Sequence, residues 1–410
     1  MNKNSLAIHT YTLTQKFLFL MILATSFGEL VNIGGINLSW FFAFLTIISY
    51  CYERLKQNNI IIPNNIHIKA LLLFFLFWIT YAFFQLLFID DYQTGFWAIK
   101  TLVINAFIII MLVLNTKRID DIVFFNNAII IGLAISLFIG LWEIQTGNHL
   151  VPVIDRYRII PRAAFGNEND FATFIAFGMI ALVLNYFLTH KKRVITIALL
   201  ALSIYELLVI NSRAIILGLM VLVICWPIFS LLNRLRKKQT YLYIILLYGL
   251  TGFIMATLLY FIAIWGGHFE ELIVVLSRPG NVTSDLLRLE LALGGLEGLI
   301  DSFLLGVGPG QTLNILPMNI HNFFLEILCE YGLLVFLGLL YILLYILLSD
   351  KTHLTNTMAG FIEAFIPALI FLGIASSGTN RIRATWAIIT LLFLTIDITR
   401  RNYLVYQRKS

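Results

Sequence analysis

Apolar and polar residues alternate along this chain in long blocks. Runs of mostly apolar residues, each near the roughly 20 residues that a helix needs to cross the hydrocarbon core of a bilayer, are separated by short polar segments. The pattern predicts an all-α integral membrane protein with about 12 transmembrane helices, folded as a single polytopic domain over residues 1–410. We place these helices at residues 17–34, 36–52, 68–89, 95–115, 122–144, 168–189, 194–210, 213–232, 241–265, 320–348, 357–376 and 384–398.

The basic residues between the apolar runs predict the orientation. An even number of spans puts both termini on one side, and if that side is cytoplasmic, 19 of the 28 lysines and arginines are cytoplasmic. This distribution follows the positive-inside rule. No small-residue cleavage pattern accompanies the first apolar run, so we interpret that run as a retained helix and not as a signal peptide.

The composition supports the same class of protein. Hydrophobic residues make up 60% of the chain, charged residues only 12%, and the mean hydropathy is +0.90. A soluble enzyme is excluded, because such a surface would expose large apolar patches to water. The net charge of +6 is explained by anionic lipid headgroups on the cytoplasmic side, so no nucleic-acid partner is predicted. The short cytoplasmic loops leave no room for a nucleotide-binding fold, and no cofactor is expected.

Two predicted external loops are much longer than a connection between helices requires. They span residues 145–167 and residues 266–319, whereas the other external turns have only a few residues. Long loops in compact proteins usually carry binding or catalytic residues, so we expect the function to lie there.

The basic residues left on the predicted external side are all arginines: Arg156, Arg158, Arg162, Arg213, Arg278, Arg288, Arg381 and Arg383. Arginine differs from lysine in its planar fork of donors, which binds phosphate or carboxylate in bidentate fashion. The external face is therefore predicted to bind a phosphate. The alternative is that these arginines pair with nearby acidic residues, namely Asp155, Asp170, Asp285 and Glu290.

The second long loop contains a helix signal followed by a glycine turn. The stretch NVTSDLLRLELALGGLEGLI predicts an interfacial helix, with Arg288 about one turn from its start. The following LLGVGPGQ contains Gly306, Gly308 and Gly310, which can form a concave turn whose N–H groups bind an anion. A tight turn without a ligand is the alternative.

His321 and Asn322 open the tenth predicted span at the membrane boundary. A histidine there can exchange a proton near neutral pH, although a structural role is the alternative. Glu326 and Glu330 follow Asn322 at helical spacing, and carboxylates inside a membrane should face the protein interior and have partners. We prefer an arginine from another span as the partner of Glu330. The spacing of acidic, His and Cys residues implies no metal site, and the three cysteines lie far apart.

The segments SRAIILGLM, LLGVGPGQ and HNFFLEILCEYGLLVFLGLLYILL occur in this order within residues 205–345. This pattern resembles the bacterial O-antigen ligase and polysaccharide polymerase superfamily, and GNENDFATF and SSGTNRIRATW also look like features of that family. The resemblance implies a membrane-type, GT-C-like glycosyltransferase that needs no metal ion. Such an enzyme transfers a glycan from an undecaprenyl-pyrophosphate carrier to an acceptor hydroxyl on the external face of the bacterial cytoplasmic (inner) membrane.

The resemblance also implies roles for individual residues. Arg213 and Arg288 match arginines that neutralise the pyrophosphate, and His321 matches a histidine that removes or orients the proton of the acceptor hydroxyl. The other residues expected to bind substrate are Asn322, Arg278, Arg162, Arg381, Arg383, Gly308 and Gly310. The expected partners are the lipid-linked glycan donor, a glycan or lipid acceptor, membrane lipids, a flippase and a chain-length regulator.

Three functions are compatible with the sequence. A polymerase would join lipid-linked repeat units into a capsule or O-antigen polysaccharide, and a ligase would move the finished glycan to a lipid or wall acceptor. We favour the polymerase, because the Asn-, Ile-, Lys- and Phe-rich composition suggests an AT-rich genome, and many such bacteria make a capsule. A flippase or transporter is the alternative of another class, but the paired half-repeats typical of carriers are not seen.

Overall fold

The computed structural model describes residues 10–27, 32–33, 36–57, 65–151, 160–190, 193–237, 284–320, 322–374 and 382–407. Most of these residues are helical: α1 (Leu13–Thr25), α2 (Leu38–Gln57), α3 (Ile66–Gln85), α4 (Tyr92–Asn115), α5 (Ile119–Thr146), α6 (Glu168–Thr189), α7 (Arg193–Ile210), α8 (Arg213–Lys237), α9 (Ser284–Asp301), α10 (Thr312–Ile315), α11 (Phe323–Leu348), α12 (Asn356–Leu372) and α13 (Arg383–Gln407). A two-residue antiparallel ladder pairs β1 (Asn32–Ile33) with β2 (Ile36–Asn37).

Six of the described helices are long and apolar enough to cross a bilayer. They are α3 with its following 3-10 turn, α4, α5, α6, α8 and α11, while α1, α7 and α12 are shorter apolar helices. The prediction of a helical membrane protein is therefore confirmed. The count of twelve spans stays a prediction, and the ninth predicted span, residues 241–265, lies outside the described residues.

The helices depart furthest from the predicted spans at the first and the last of them. The first was placed at residues 17–34, but α1 ends at Thr25 and the β1–β2 ladder separates it from α2. The sequence Asn-Ile-Gly-Gly-Ile-Asn places two glycines between the strands, which favours a tight hairpin over a continuing helix. The last span was placed at residues 384–398, but α13 continues to Gln407.

The chain divides into two compact units. Unit 1 takes in Met1–Phe75, Leu102–Asn211 and Arg381–Ile398, and unit 2 takes in Leu76–Thr101, Ser212–Asn380 and Thr399–Ser410. The first long loop predicted from the sequence belongs to unit 1, and the second belongs to unit 2.

Helix α6 is the centre of unit 1, where it packs against α5 and α7. Asn167 caps its N-terminus by accepting a hydrogen bond from the Asp170 N–H at 2.8 Å. Phe171, Phe174 and Phe177 are fully buried along the helix. A helix that is apolar and buried on most of its surface is typical of the interior of a bundle.

Helices α8 and α12 form an antiparallel pair in unit 2. A Cβ added at Gly218 would lie 2.7 Å from the Leu372 side chain, and one added at Gly360 would lie 2.4 Å from the Ser230 N atom. Later residues of α8 thus face earlier residues of α12, which is the antiparallel order. The glycines allow close approach of the two backbones, as small residues do at helix interfaces in membranes.

A buried ion pair joins α12 to the segment after α11. The Lys351 ammonium donates to Glu363 Oε1 at 3.2 Å and to the carbonyls of Leu347 and Ser349. Glu363 Oε2 accepts a hydrogen bond from Asn233 Nδ2 at 2.6 Å. Burial lowers the pKa of Lys351, and the nearby Glu363 carboxylate acts in the opposite direction. Three elements of unit 2 are therefore linked at one end by a charged network.

Helix α11 is broken at Gly332, where the sequence predicted one continuous span. Gly332 has φ 77° and ψ −180°, a conformation that is essentially restricted to glycine. The Leu333 N–H donates to the Leu304 carbonyl at 2.9 Å instead of continuing the helical pattern. A Cβ at Gly332 would lie 2.4 Å from the Leu305 carbonyl carbon, so the chain at residues 304–305 occupies the place of a side chain.

We expect Gly332→Ala to destabilise the protein by about 2 kcal/mol or more, because it adds backbone strain and a steric overlap. The measurement is the thermal unfolding midpoint in detergent. Gly338→Ala in the same helix is the matched control and should unfold at or above the wild-type temperature, because alanine favours a regular helix. Equal midpoints for the two variants would contradict the assigned conformation of Gly332.

Removing one partner of the Lys351–Glu363 pair should cost about 3 to 5 kcal/mol, because it leaves a buried charge unpaired. Lys351→Met is expected to lower the unfolding midpoint strongly. The double variant Lys351→Met with Glu363→Leu should recover most of that loss. Equal stability of the single and double variants would show that the pair is not buried as described.

Candidate functional site

The glycine turn of the second long loop closes onto the break in α11. Gly306, Gly308 and Gly310 have φ angles of 86°, 106° and 72°, which are left-handed conformations that favour glycine. The Val307 N–H donates to the Cys329 carbonyl at 2.8 Å, and the Gly308 N–H donates to the Glu330 carbonyl at 3.0 Å. The turn thus takes up carbonyls that the break in α11 leaves without helical donors.

This bonding revises the expected role of the glycine N–H groups. The Gly306 N–H donates to Ser302 Oγ at 3.0 Å, and the Gly308 N–H donates to the Glu330 carbonyl. Neither N–H points to an open anion site. At these two residues the structure favours the alternative of a tight turn, and a Cβ at Gly308 would lie 2.4 Å from the Ile89 side chain.

The corner between α3 and α4 holds the other side of the turn. Gln85 Nε2 donates to the carbonyls of Leu305 and Glu330, both at 3.0 Å, and the Tyr81 hydroxyl donates to Leu305 at 2.7 Å. Gln311 Nε2 donates to the Asp91 carbonyl at 3.1 Å. The turn is therefore fixed from two sides by hydrogen bonds to the backbone.

Asp91 is itself ordered by the start of α4. Its carboxylate accepts from the Thr94 hydroxyl at 2.5 Å and from the Thr94 N–H at 3.1 Å. These hydrogen bonds lower the pKa of Asp91. A Cβ at Gly310 would lie 3.0 Å from the Thr94 carbonyl oxygen, so the glycine turn packs directly on this corner.

Three helix ends meet at one end of unit 2, which we call the α8/α11 end: the start of α8 with Arg213, the start of α11 with Asn322, and the end of α12 with Gly373. The Phe323 N–H donates to the Gly373 carbonyl at 2.7 Å. Leu372 faces Gly218, which lies only about 7.5 Å along the helix axis from Arg213 at 1.5 Å per residue. Arg213 and Asn322 are thus placed at the same end of the unit.

The charge pattern at the α8/α11 end favours an anion. Arg213 is the first residue of α8 and is exposed, and no acidic residue lies in the first turn of this helix. Helix N-termini carry a partial positive charge, to which the arginine adds. Asn322 Oδ1 caps α11 by accepting from the N–H groups of Phe324 and Leu325 at 3.0 and 3.2 Å. The oxygen of Asn322 therefore has a structural role, and its Nδ2 is the group that could meet a substrate.

Arg288 lies half-buried on α9, as the sequence predicted for a helix in this loop. A Cβ at Gly295 would lie 2.5 Å from the Ile320 side chain, and one at Gly294 would lie 2.6 Å from Leu316. Arg288 is about two turns before these glycines, and Ile320 leads to Asn322 along the chain. The packing of α9 thus brings the helix of Arg288 to the segment that enters α11.

A cavity of about 460 Å³ lies between α9 and the segment at residues 315–317. It is lined by Leu289, Glu290, Leu291, Leu293, Gly294, Glu297, Ile315, Leu316 and Pro317. This size and this mixture of apolar and carboxylate groups are typical of a small-molecule site.

Glu326 and Glu330 are buried, as expected for carboxylates in a membrane helix. Glu330 Oε1 accepts a hydrogen bond from the Thr312 hydroxyl at 2.9 Å. This hydroxyl comes from α10, and the predicted arginine partner from another span stays a prediction.

Two of the predicted external arginines are described in unit 1, namely Arg162 and Arg383. Arg162 Nη2 lies 3.3 Å from Glu168 Oε2, an acidic neighbour that the sequence analysis did not name, and the role of Arg162 as a substrate ligand stays a prediction. Arg383 Nη1 donates to the Ser39 hydroxyl at 2.7 Å. The predicted residues that lie outside the described ones are His321, Arg156, Arg158, Arg278 and Arg381.

Several residues that hold these sites were missed by the sequence analysis. Gln85 and Gln311 look like ordinary polar residues near helix ends, and nothing in their spacing indicates that they hold the glycine turn. Glu143 and Glu206 are fully buried carboxylates in unit 1. The sequence did contain a signal for these two residues, because acidic residues within apolar runs are rare and usually have a function.

Comparison with known proteins supports the family resemblance. Residues 198–340 match the family described as "O-Antigen ligase". The chain is also similar to the teichuronic acid biosynthesis protein TuaE of Bacillus subtilis (strain 168), with 22% identity over 374 residues that cover 83% of this chain and 74% of the relative. No solved structure matches the chain.

The matched region takes in both Arg213 and Arg288, the glycine turn, Asn322 and the broken helix α11. The family match, the relative and the apolar helices together support a membrane protein that is similar to members of the bacterial O-antigen ligase and polysaccharide polymerase superfamily.

Proposed function

We propose that the protein is a polysaccharide polymerase of this superfamily. It joins undecaprenyl-pyrophosphate-linked repeat units into a cell-surface polysaccharide on the external face of the cytoplasmic membrane, with both termini on the cytoplasmic side. The observation that carries the proposal is the α8/α11 end, where the start of α8 with Arg213 and the start of α11 with Asn322 lie at the same end of unit 2, both inside the family match. The name of the relative, a teichuronic acid biosynthesis protein, supports a role in polysaccharide synthesis.

In the proposed reaction, the arginines stabilise the leaving group. As the bond between the anomeric carbon and the pyrophosphate oxygen breaks, negative charge grows on the pyrophosphate, and guanidinium groups of Arg213 and Arg288 bind it in bidentate fashion. The positive start of α8, on which Arg213 lies, adds to this field. A divalent metal ion is not required in this scheme.

The acceptor hydroxyl attacks the anomeric carbon as that bond breaks. His321 takes the proton of the hydroxyl or orients it, and its neighbour Asn322 offers Nδ2 as a hydrogen-bond donor. The cavity between α9 and residues 315–317 is the place we assign to the sugars nearest the reacting bond, with Glu290 and Glu297 as acceptors for sugar hydroxyls. Arg278 is proposed as a further substrate ligand, and Gly310 as part of the turn that shapes the site. Within unit 1, Arg162, Arg381 and Arg383 stay predicted substrate ligands.

Arg213→Ala and Arg288→Ala should each lower turnover of a lipid-pyrophosphate oligosaccharide by about 10²- to 10³-fold, the usual effect of removing a group that stabilises the transition state. His321→Ala is expected to lower it about 10²- to 10⁴-fold. Arg288→Lys should rescue little, because lysine cannot bind in bidentate fashion. The assay uses purified protein in the presence of EDTA.

Arg234→Ala is the matched control, because Arg234 is exposed at the opposite end of the same helix as Arg213. It should keep wild-type turnover. Full activity in the Arg213, Arg288 and His321 variants would reject the site, and loss of wild-type activity in EDTA would reject metal independence.

A cell without the protein distinguishes the polymerase from the ligase, which the family description keeps as the second candidate. Glycans of a single repeat unit are expected if the protein is a polymerase. Full-length glycans that are not attached to their acceptor would instead indicate a ligase. Lipid-linked units retained on the cytoplasmic side, with no glycan assembled on the external face, would indicate a flippase.

A further inference from the structure

A pair of buried carboxylates in unit 1 takes no part in the proposed transfer reaction. Glu143 lies in the last turn of α5 and Glu206 near the end of α7, and both are fully buried. Gly140 lies one turn before Glu143 on α5, and a Cβ there would be 2.4 Å from Glu206 Oε2. The missing side chain of Gly140 therefore lets the Glu206 carboxyl pack against α5 on the same side as Glu143.

Backbone N–H groups bind both oxygens of the Glu143 side chain. Its Oε2 accepts from the N–H groups of Arg162 and Ala163 at 2.7 and 2.8 Å, and its Oε1 accepts from the Leu150 N–H at 3.1 Å. His149 Nδ1 lies 3.6 Å from the same Oε1. Both oxygens therefore act as acceptors toward the loop.

Glu206 has the opposite surroundings. Neither of its oxygens has a hydrogen-bond partner among the described residues. The ring of Phe171 lies on the same side of Gly140 as the Glu206 carboxyl, and Glu143 is the charged group that acts on it. A negative charge on Glu206 would be buried without a partner and repelled by Glu143, whereas the neutral acid carries neither cost.

Glu143 joins two points of the first long loop. Leu150 comes shortly after α5, and Arg162 and Ala163 come shortly before α6, so one side chain fixes both ends of the loop. With its backbone held by Glu143, Arg162 reaches Glu168 through its guanidinium. A second negative charge beside Glu143 would weaken this anchor by repulsion.

We propose that Glu206 is a proton-binding site: a neutral carboxylic acid that leaves Glu143 as the single negative charge of the pair, so that Glu143 anchors the loop and positions Arg162. Glu143 and Glu206 are positioning residues in this scheme and do not touch the substrate. Only the role of Arg162 as a substrate ligand rests on the proposed function. The proton on Glu206 and the anchoring of the loop by Glu143 do not depend on it.

The proton is tested by infrared difference spectroscopy of the purified full chain at neutral pH. Subtracting the Glu206→Gln spectrum from that of the wild type should leave the C=O stretch of a protonated carboxylic acid. The matched control is Glu297→Gln, whose side chain is exposed on α9, and it should remove a carboxylate band instead. A carboxylate band lost in Glu206→Gln would overturn the proposal. Failure of Glu206→Gln to fold would do the same, because the amide has the shape of the neutral acid.

The anchor is tested by hydrogen–deuterium exchange at the amides of Leu150, Arg162 and Ala163. Glu143→Gln can accept with only one side-chain atom, so exchange at one or both ends of the loop should become about tenfold faster or more. Glu206→Gln should keep the wild-type rates, and Glu297→Gln should also keep them. Unchanged exchange in Glu143→Gln would overturn the anchor.

The positioning role is tested separately by donor kinetics. Glu143→Gln should raise the KM for the lipid-linked donor more than it lowers kcat. Glu206→Gln should keep nearly wild-type values of KM and kcat, because glutamine is a conservative replacement of a neutral acid. Faster exchange with unchanged kinetics would leave the proton and anchor standing but overturn the positioning of Arg162. The activity of the Arg213→Ala variant tests the proposed function and does not test the Glu143–Glu206 pair.

Discussion

The arrangement of unit 2 depends on the need to satisfy backbone hydrogen bonds inside an apolar region. A helix that breaks within a membrane protein leaves carbonyl and N–H groups that no water can satisfy, so other protein groups must take them up. In α11 the backbone groups freed by the break at Gly332 form hydrogen bonds with the segment at residues 304–308, which bonds to Cys329, Glu330 and Leu333. Gln85 adds a further donor to the Glu330 carbonyl. The long loop is thereby attached to the membrane helix through its own backbone.

This attachment of the loop to α11 positions the elements of the candidate site. Helix α9 packs its glycines against the segment that enters α11, and the glycine turn sits between the α3–α4 corner and the break. The start of α11 is bonded to the end of α12, and α12 runs antiparallel to α8. Arg213, Arg288 and Asn322 therefore lie on elements that are packed into one framework. Such support is what a site for a diphosphate needs, because arginine forks stabilise charge best when they are held in place beforehand.

The sequence predicted much of the site at the level of residues but not of contacts. Arg288 on a loop helix and a turn at Gly306, Gly308 and Gly310 were both expected, and both are observed. At Gly306 and Gly308 the N–H groups bond within the protein. The sequence could not show this, because a glycine pattern indicates which backbone conformations are accessible but not which acceptor each N–H will meet. Likewise, Glu330 was expected to need a partner, but its spacing could not show that Thr312 would provide a hydroxyl.

The sequence by itself determined the class of protein, the apolar helices and the residue types that suit a phosphate, since these follow from local hydrophobicity and side-chain chemistry. Tertiary structure alone decided that α11 breaks at Gly332 and that Glu143 and Glu206 lie in the same buried region. These features arise from residues far apart in the chain, such as Gly140 and Glu206. Local pattern cannot report them, because the partner that satisfies a buried polar group is chosen by packing.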